Sequence, residues 1–252
     1  MVTLPCKRVR IRDSSRGCCG LRSASLWRRA WLVRGNDSNQ EEHEHAKLSH
    51  HVGIKGSFMV SGCFDKFEDE ELMALLRIRK YPDPALKQAA RAVGEIDGAV
   101  NAFLDSMAQT MYAAPGVGLA ATQVGDARRL VVLDTNHQYP GEHLLKLINP
   151  VIAEAEGSIV WEEGCLSVID FTAEVKRASR VLVRAWTLEQ KEIEIEATDL
   201  QAVAFQHELD HLDGKLFIDR VSRIKRELYR RKLAKMRKEG KADGQPPTRM
   251  LI

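Results

Sequence analysis

The chain has 252 residues, 44% hydrophobic and 29% charged, enough for one or two domains with a sizeable core. No run of 18 apolar residues occurs, which excludes a helical membrane span; five scattered cysteines form no disulfide framework and suit a reducing compartment. The net charge of +3 hides an asymmetry: residues 1–35 carry nine Lys/Arg against Asp13, residues 220–252 carry twelve against three acids, and the middle is net −14. Any polyanionic partner would therefore meet the two ends.

Residues 1–58 keep neither a helical nor a strand period for long. The stretch 25–33 is too short, and too broken by Arg28 and Arg29, for a signal-peptide core. Residues 1–72 are expected to form an N-terminal extension, disordered or included by an early start, with Met59 and Met73 as alternative starts and organelle targeting as the other use of its arginines. His43, His45, His50 and His51 have no helical frame, and Cys6, Cys18 and Cys19 have no finger spacing, so no second metal site is expected there. The domain that carries the chemistry is expected over 73–252.

Tyr81-Pro82-Asp83-Pro84 reads as a turn. Val100, Phe103, Leu104, Met107 and Met111 follow helical spacing with one buried face, and Pro115-Gly116 ends that region. Residues 130–133 and 144–148 read as short buried strands, and 181–186 with 192–196 as a hairpin. Thr198-Asp199-Leu200-Gln201 has the form of a capping box opening a helix through about Leu212, with Gly214 as its stop. A second helix, about 219–239, is basic almost all round.

Three segments carry chemistry. His207-Glu208-Leu209-Asp210-His211 is an HExxH motif: a spacing of four puts both imidazoles on one helix face, able to share one ion, with Glu208 beside them to take a proton from water. The metzincin pattern fails, since its last ligand position holds Phe217, and Glu227 sits poorly within the basic helix. The remaining candidate for a third ligand is Cys165, which follows Gly164 in a polar turn, although a lone cysteine is more often a small buried hydrophobe; a thiolate with two imidazoles would leave the open position of a catalytic site and, on softness alone, suits zinc. Residues 116–123 imitate a dinucleotide fingerprint, but a helix and Pro115 precede the glycines where a strand is needed. The segment then reads either as tight packing or as a glycine loop that approaches a substrate, with Gln123 as an amide donor.

GVGLAATQ at 116–123, EGCLS at 163–167 and QHELDH at 206–211, in that order, closely resemble the three signatures of the peptide deformylase family, and the YPDP turn resembles its beginning. The resemblance covers about 73–235; Ile169 stands where many members have Pro. It implies an α+β fold, antiparallel strands folded around a central metal-binding HExxH helix with a basic C-terminal helix. It implies removal of the formyl group from the N-terminal methionine of new proteins, with Cys165, His207 and His211 on one Fe2+ that Zn2+, Ni2+ or Co2+ can replace. Glu208 would be the proton carrier, and Gln123 with the Leu166 N–H the oxyanion donors. Val117, Gly118, Glu163, Gly164, Leu200 and Val203 would meet the substrate. The expected partners are formyl-methionyl nascent peptides and, through RNA phosphates at the C-terminal helix, the ribosome, with no membrane and no DNA. The expected location is the cytoplasm. An unrelated HExxH metallopeptidase and an inactive metal- or RNA-binding module are the competing readings; intact Glu208 and Gln123 speak against simple binding.

Overall fold

Strict alternation of inward and outward side chains marks two strands of the central sheet, 180–186 and 192–198, whereas those at 118–120 and 130–133 are buried throughout. The computed structural model describes residues 9–11, 75–136 and 139–240, the first three by backbone alone, and all of them belong to one compact unit. The N-terminal histidines and cysteines lie outside the described residues.

In chain order the strands are β1 (Val9–Ile11), β2 (Gly118–Ala120), β3 (Leu130–Leu133), β4 (Leu145–Glu156), β5 (Ile159–Cys165), β6 (Val168–Arg177), β7 (Arg180–Trp186) and β8 (Glu192–Thr198). The expected hairpin is β7–β8, with Val183 opposite Ile195. Val181, Val183, Ala185, Ile193, Ile195 and Ala197 point into the core, while Arg184 and Glu194 pair outside at 2.9 Å. Six strands form one antiparallel sheet in the order β1-β8-β7-β4-β3-β2, and β5 pairs with β6 in a second. The architecture is α+β. One expectation needs correcting: Val9–Ile11 is not a structureless extension but an edge strand on β8. Its Val-Arg-Ile alternation is too short to register against the irregular residues around it.

Helix α1 (Gly98–Ala113) is capped by Asp97, whose carboxylate accepts the Val100 N–H at 2.9 Å, and buries Val100, Leu104, Met107 and Met111. Helix α2 (Asp199–Leu212) packs against β2, β3, β4, β7 and β8 and is buried almost all round. Thr198 is its N-cap, but the expected capping box does not form, because its side chain makes no cap bond. Asp199 instead turns through φ 50° and gives its N–H to the Ser179 carbonyl at 3.2 Å, so strand pairing sets the entry angle. Gly214 ends the helix at φ +71°, where a Cβ would stand 2.6 Å from the Lys87 carbonyl oxygen. Helix α3 (Arg223–Lys238) starts four residues later than expected, because Phe217–Asp219 forms its own 3-10 turn and Ser222 caps α3. No helix among the described residues is long and apolar enough to cross a membrane.

Candidate active site and metal centre

The helical spacing of four does what the sequence predicts. His207 and His211 lie on one side of α2 with ring centroids 5.0 Å apart, both 1% exposed. Cys165 comes to them from the end of β5, its Sγ 3.1 Å from His211 Nε2. The ligand atoms of Cys165, His207 and His211 all lie within 4.8 Å of one another.

Cys165 does not sit in a polar turn, as the sequence suggested. Residues 163–169 are buried as the closed end of the β5–β6 hairpin, which polar Glu162 and Glu163 concealed. Glu163 is fully buried: Arg177 donates from Nε to Oε1 at 2.6 Å and from Nη2 to Oε2 at 2.9 Å. His207 Nδ1 lies 2.9 Å from the same Oε2. This corrects its expected place at the substrate, since a carboxylate engaged on both oxygens and shut from solvent orients the imidazole behind the site. Arg177 Nη1 also donates to Asp210 Oδ2 at 2.5 Å, and Arg220 grips Asp210 from Nε and Nη2 at 2.5 and 2.6 Å. Arg177, Asp210 and Arg220 were missed in the sequence. The signal was available in Asp210 alone, a carboxylate in a helix otherwise marked for burial, which requires a cation.

Some of the polar atoms turned inward have no hydrogen-bond partner. Among the described residues, His207 Nε2 and both Glu208 oxygens are buried with no hydrogen bond. Burial pushes the Glu208 carboxyl up to about 7, with Glu163 adding to the rise. Burial pulls His207 down, but the negative charges of Cys165 and Glu163 more than offset it and hold the ring up at about 10. His211, buried beside His207, is pushed well below the ordinary range. A buried sulfur beside two imidazoles, with an inward nitrogen lacking a partner, fits a soft or borderline cation, which would take the place of the His207 proton.

The glycine segment is not a loop at its centre: Gly118–Ala120 is strand β2, paired with β3. Gly118 backs directly onto Glu208, and a Cβ there would lie 2.5 Å from Oε1 and 2.8 Å from Cδ. Gly118→Ala is therefore expected to displace the carboxylate and lower turnover about a hundredfold with the fold kept. Unchanged turnover with a wild-type circular dichroism spectrum would reject that close-approach reading. Gln123, 1% exposed, accepts the Ala120 N–H at 2.8 Å and directs Nε2 to Cys165 Sγ at 3.7 Å and Ser167 Oγ at 3.3 Å. Leu166 packs in the core beside α1. Val117, Val203 and half-buried Leu200 share one apolar cluster, and Gly164 is buried between Glu163 and Cys165. A cleft of about 600 Å³ lies elsewhere, between residues 77–84 and Leu233 and Arg237 of α3, and none of these side chains lines it.

Comparison with known proteins gives a consistent result. A family model described as polypeptide deformylase matches residues 75–227. A peptide deformylase of Thermodesulfovibrio yellowstonii is 52% identical over 160 residues, covering 64% of this chain and 97% of that one. The crystal structure of a Legionella pneumophila peptide deformylase superposes with a TM-score of 0.62 at 39% identity, over 66% of this chain and 98% of that one. A Met-Ala-Ser-bound peptide deformylase of Acinetobacter baumannii superposes with a TM-score of 0.56 at 33% identity, over 60% of this chain and all of that one (100%).

Proposed function

The chain belongs to the peptide deformylase family, enzymes that remove the N-formyl group from nascent peptides, and we propose that it does so with one divalent ion on Cys165, His207 and His211 and with Glu208 as proton carrier. The observation that carries this assignment is the convergence of those three ligand atoms beside a buried carboxylate without partners. The family's metal dependence makes the ion an expected constituent of the site. Following the family, we assign Fe2+ as the native ion, with Zn2+, Ni2+ and Co2+ as substitutes. The chemistry such an ion supplies is Lewis acidity towards water and towards the formyl carbonyl.

The chain's own residues do the rest. Glu208 takes a proton from the attacking water on a carboxylate oxygen as the new carbon–oxygen bond forms at the formyl carbon. It then returns that proton to the amine nitrogen as the carbon–nitrogen bond breaks, which releases formate and a free N-terminus. The Leu166 N–H and Gln123 Nε2 donate to the oxyanion that develops on the formyl oxygen. The main chain at Gly118 and Gly164 meets the extended peptide, and Val117, Leu200 and Val203 line the place of the methionine side chain. Glu163 fixes the tautomer of His207 by holding Nδ1, which leaves Nε2 for the ion.

The test is formate release from formyl-Met-Ala-Ser by anaerobically purified protein carrying one ion per chain. Metal-loaded protein that yields no formate rejects the reading. We assign the chemistry to 73–252, so a chain shortened to begin at Met59, which loses β1 but no site residue, keeps the same rate.

We place the enzyme in the cytoplasm, at the ribosome. Helix α3 buries Tyr229 and Leu233 and turns Ile224, Leu228 and a row of cations to solvent. Replacing exposed Arg231 and Lys235 with Gln is expected to lower the salt dependence of ribosome binding, by roughly 0.7–0.9 in log–log slope per lost phosphate contact. Activity on the tripeptide should not change. An unchanged slope would make the helix a solvated face.

A further inference from the structure

Residues 77–84 contribute nothing to the mechanism above, yet they grip the active-site hairpin from behind. Lys80 Nζ donates to the Leu166 carbonyl at 2.6 Å, and the Tyr81 N–H donates to the Ser167 carbonyl at 2.8 Å. Both bonds fall on the turn that joins β5 to β6. The Leu166 carbonyl and the Ser167 N–H belong to one peptide group, and that N–H donates to Cys165 Sγ at 3.4 Å. Ammonium, peptide and sulfur thus stand in a single hydrogen-bonded chain, in which each bond polarises the next. Lys80 itself is half-buried on the wall of the 600 Å³ cleft. Burial pulls its ammonium below the ordinary range, and Cys165 opposes that fall.

We infer that Lys80 is a positioning residue for the metal-binding sulfur. Its ammonium acts through the Leu166–Ser167 peptide to draw electron density from Cys165 Sγ, and it fixes the turn that carries the Leu166 N–H. This inference rests on Cys165 being a ligand. A sulfur that donates less leaves the ion a stronger Lewis acid, so removal of Lys80 should slow the chemical step and leave peptide binding unaltered. Lys80→Met keeps the length of the stem without its charge, and Lys80→Arg keeps the charge and a donor.

Both variants and the wild type are to be loaded with Co2+, and the thiolate-to-Co2+ charge-transfer band is to be read beside kcat and KM for formyl-Met-Ala-Ser. In Lys80→Met the band moves to lower energy and kcat falls about tenfold with KM unchanged. Lys80→Arg restores both. A band unmoved in Lys80→Met overturns the inference and leaves the functional reading standing. Co2+-loaded wild-type protein without such a band removes Cys165 from the ligand set and overturns both.

Discussion

Glu208→Ala is expected to lower turnover of a formylated peptide about a thousandfold while the protein keeps its ion. The carboxylate is not a ligand in the proposed site, so its loss leaves the Cys165, His207 and His211 atoms within the same 4.8 Å. It is fully buried with both oxygens lacking partners among the described residues, a placement that weakens the fold and that only chemistry explains. Burial sets its carboxyl at about 7, close to the pH at which it must both accept and return a proton. The base works ionised, so turnover should rise with pH as the carboxylate forms and level off once it is fully ionised. The alanine variant removes an unsatisfied buried carboxylate, so its thermal midpoint should equal or exceed that of the wild type. Turnover within tenfold of wild type, with the ion in place, would strip Glu208 of its role.

The sequence and the structure agree where a local pattern suffices. The HExxH spacing, the β7–β8 alternation and the buried face of α1 each depend on residues a few positions apart, and each is found as read. The reading failed where burial depends on a partner far along the chain. Glu163 looked like a turn residue because hydropathy counts a carboxylate as solvent-facing, but Arg177 neutralises it from across the hairpin. Arg177 in turn meets Asp210 on α2, 33 residues on, a pairing that no local period encodes. The capping box failed for a similar reason, as the backbone of Asp199 is held by Ser179 in the bend just before β7. Thus the inward-facing ligands were legible as a motif, whereas the charges that aim them were not. The fit of Lys80 behind Leu166 belongs to the same class, since 86 residues separate the two.

Arg177→Met is the sharpest test of that hidden layer, with an expected loss of about 3 to 5 kcal/mol of stability. The guanidinium is 1% exposed and spans two carboxylates, Glu163 at 0% and Asp210 at 8% side-chain exposure. Methionine fills much of the volume but leaves Glu163 with His207 alone, while Asp210 keeps Arg220. The penalty is therefore mostly that of one buried carboxylate reduced to a single partner, so Glu163→Gln in the Arg177→Met background should recover part of the loss. The pH dependence has a definite sign. Burial opposes ionisation of Glu163 and Asp210, yet their cationic partners hold both below the ordinary carboxylate range. Their stabilisation is therefore complete above that range and lost as the pH falls through the depressed values. Without Arg177 the acid limb of the stability curve should begin at higher pH. Urea unfolding of the metal-free single and double variants across pH reads all of this. A single variant that loses less than about 1 kcal/mol, as an exposed pair would, would show that Arg177 only fills space; the acid limb would then stay where the wild type has it.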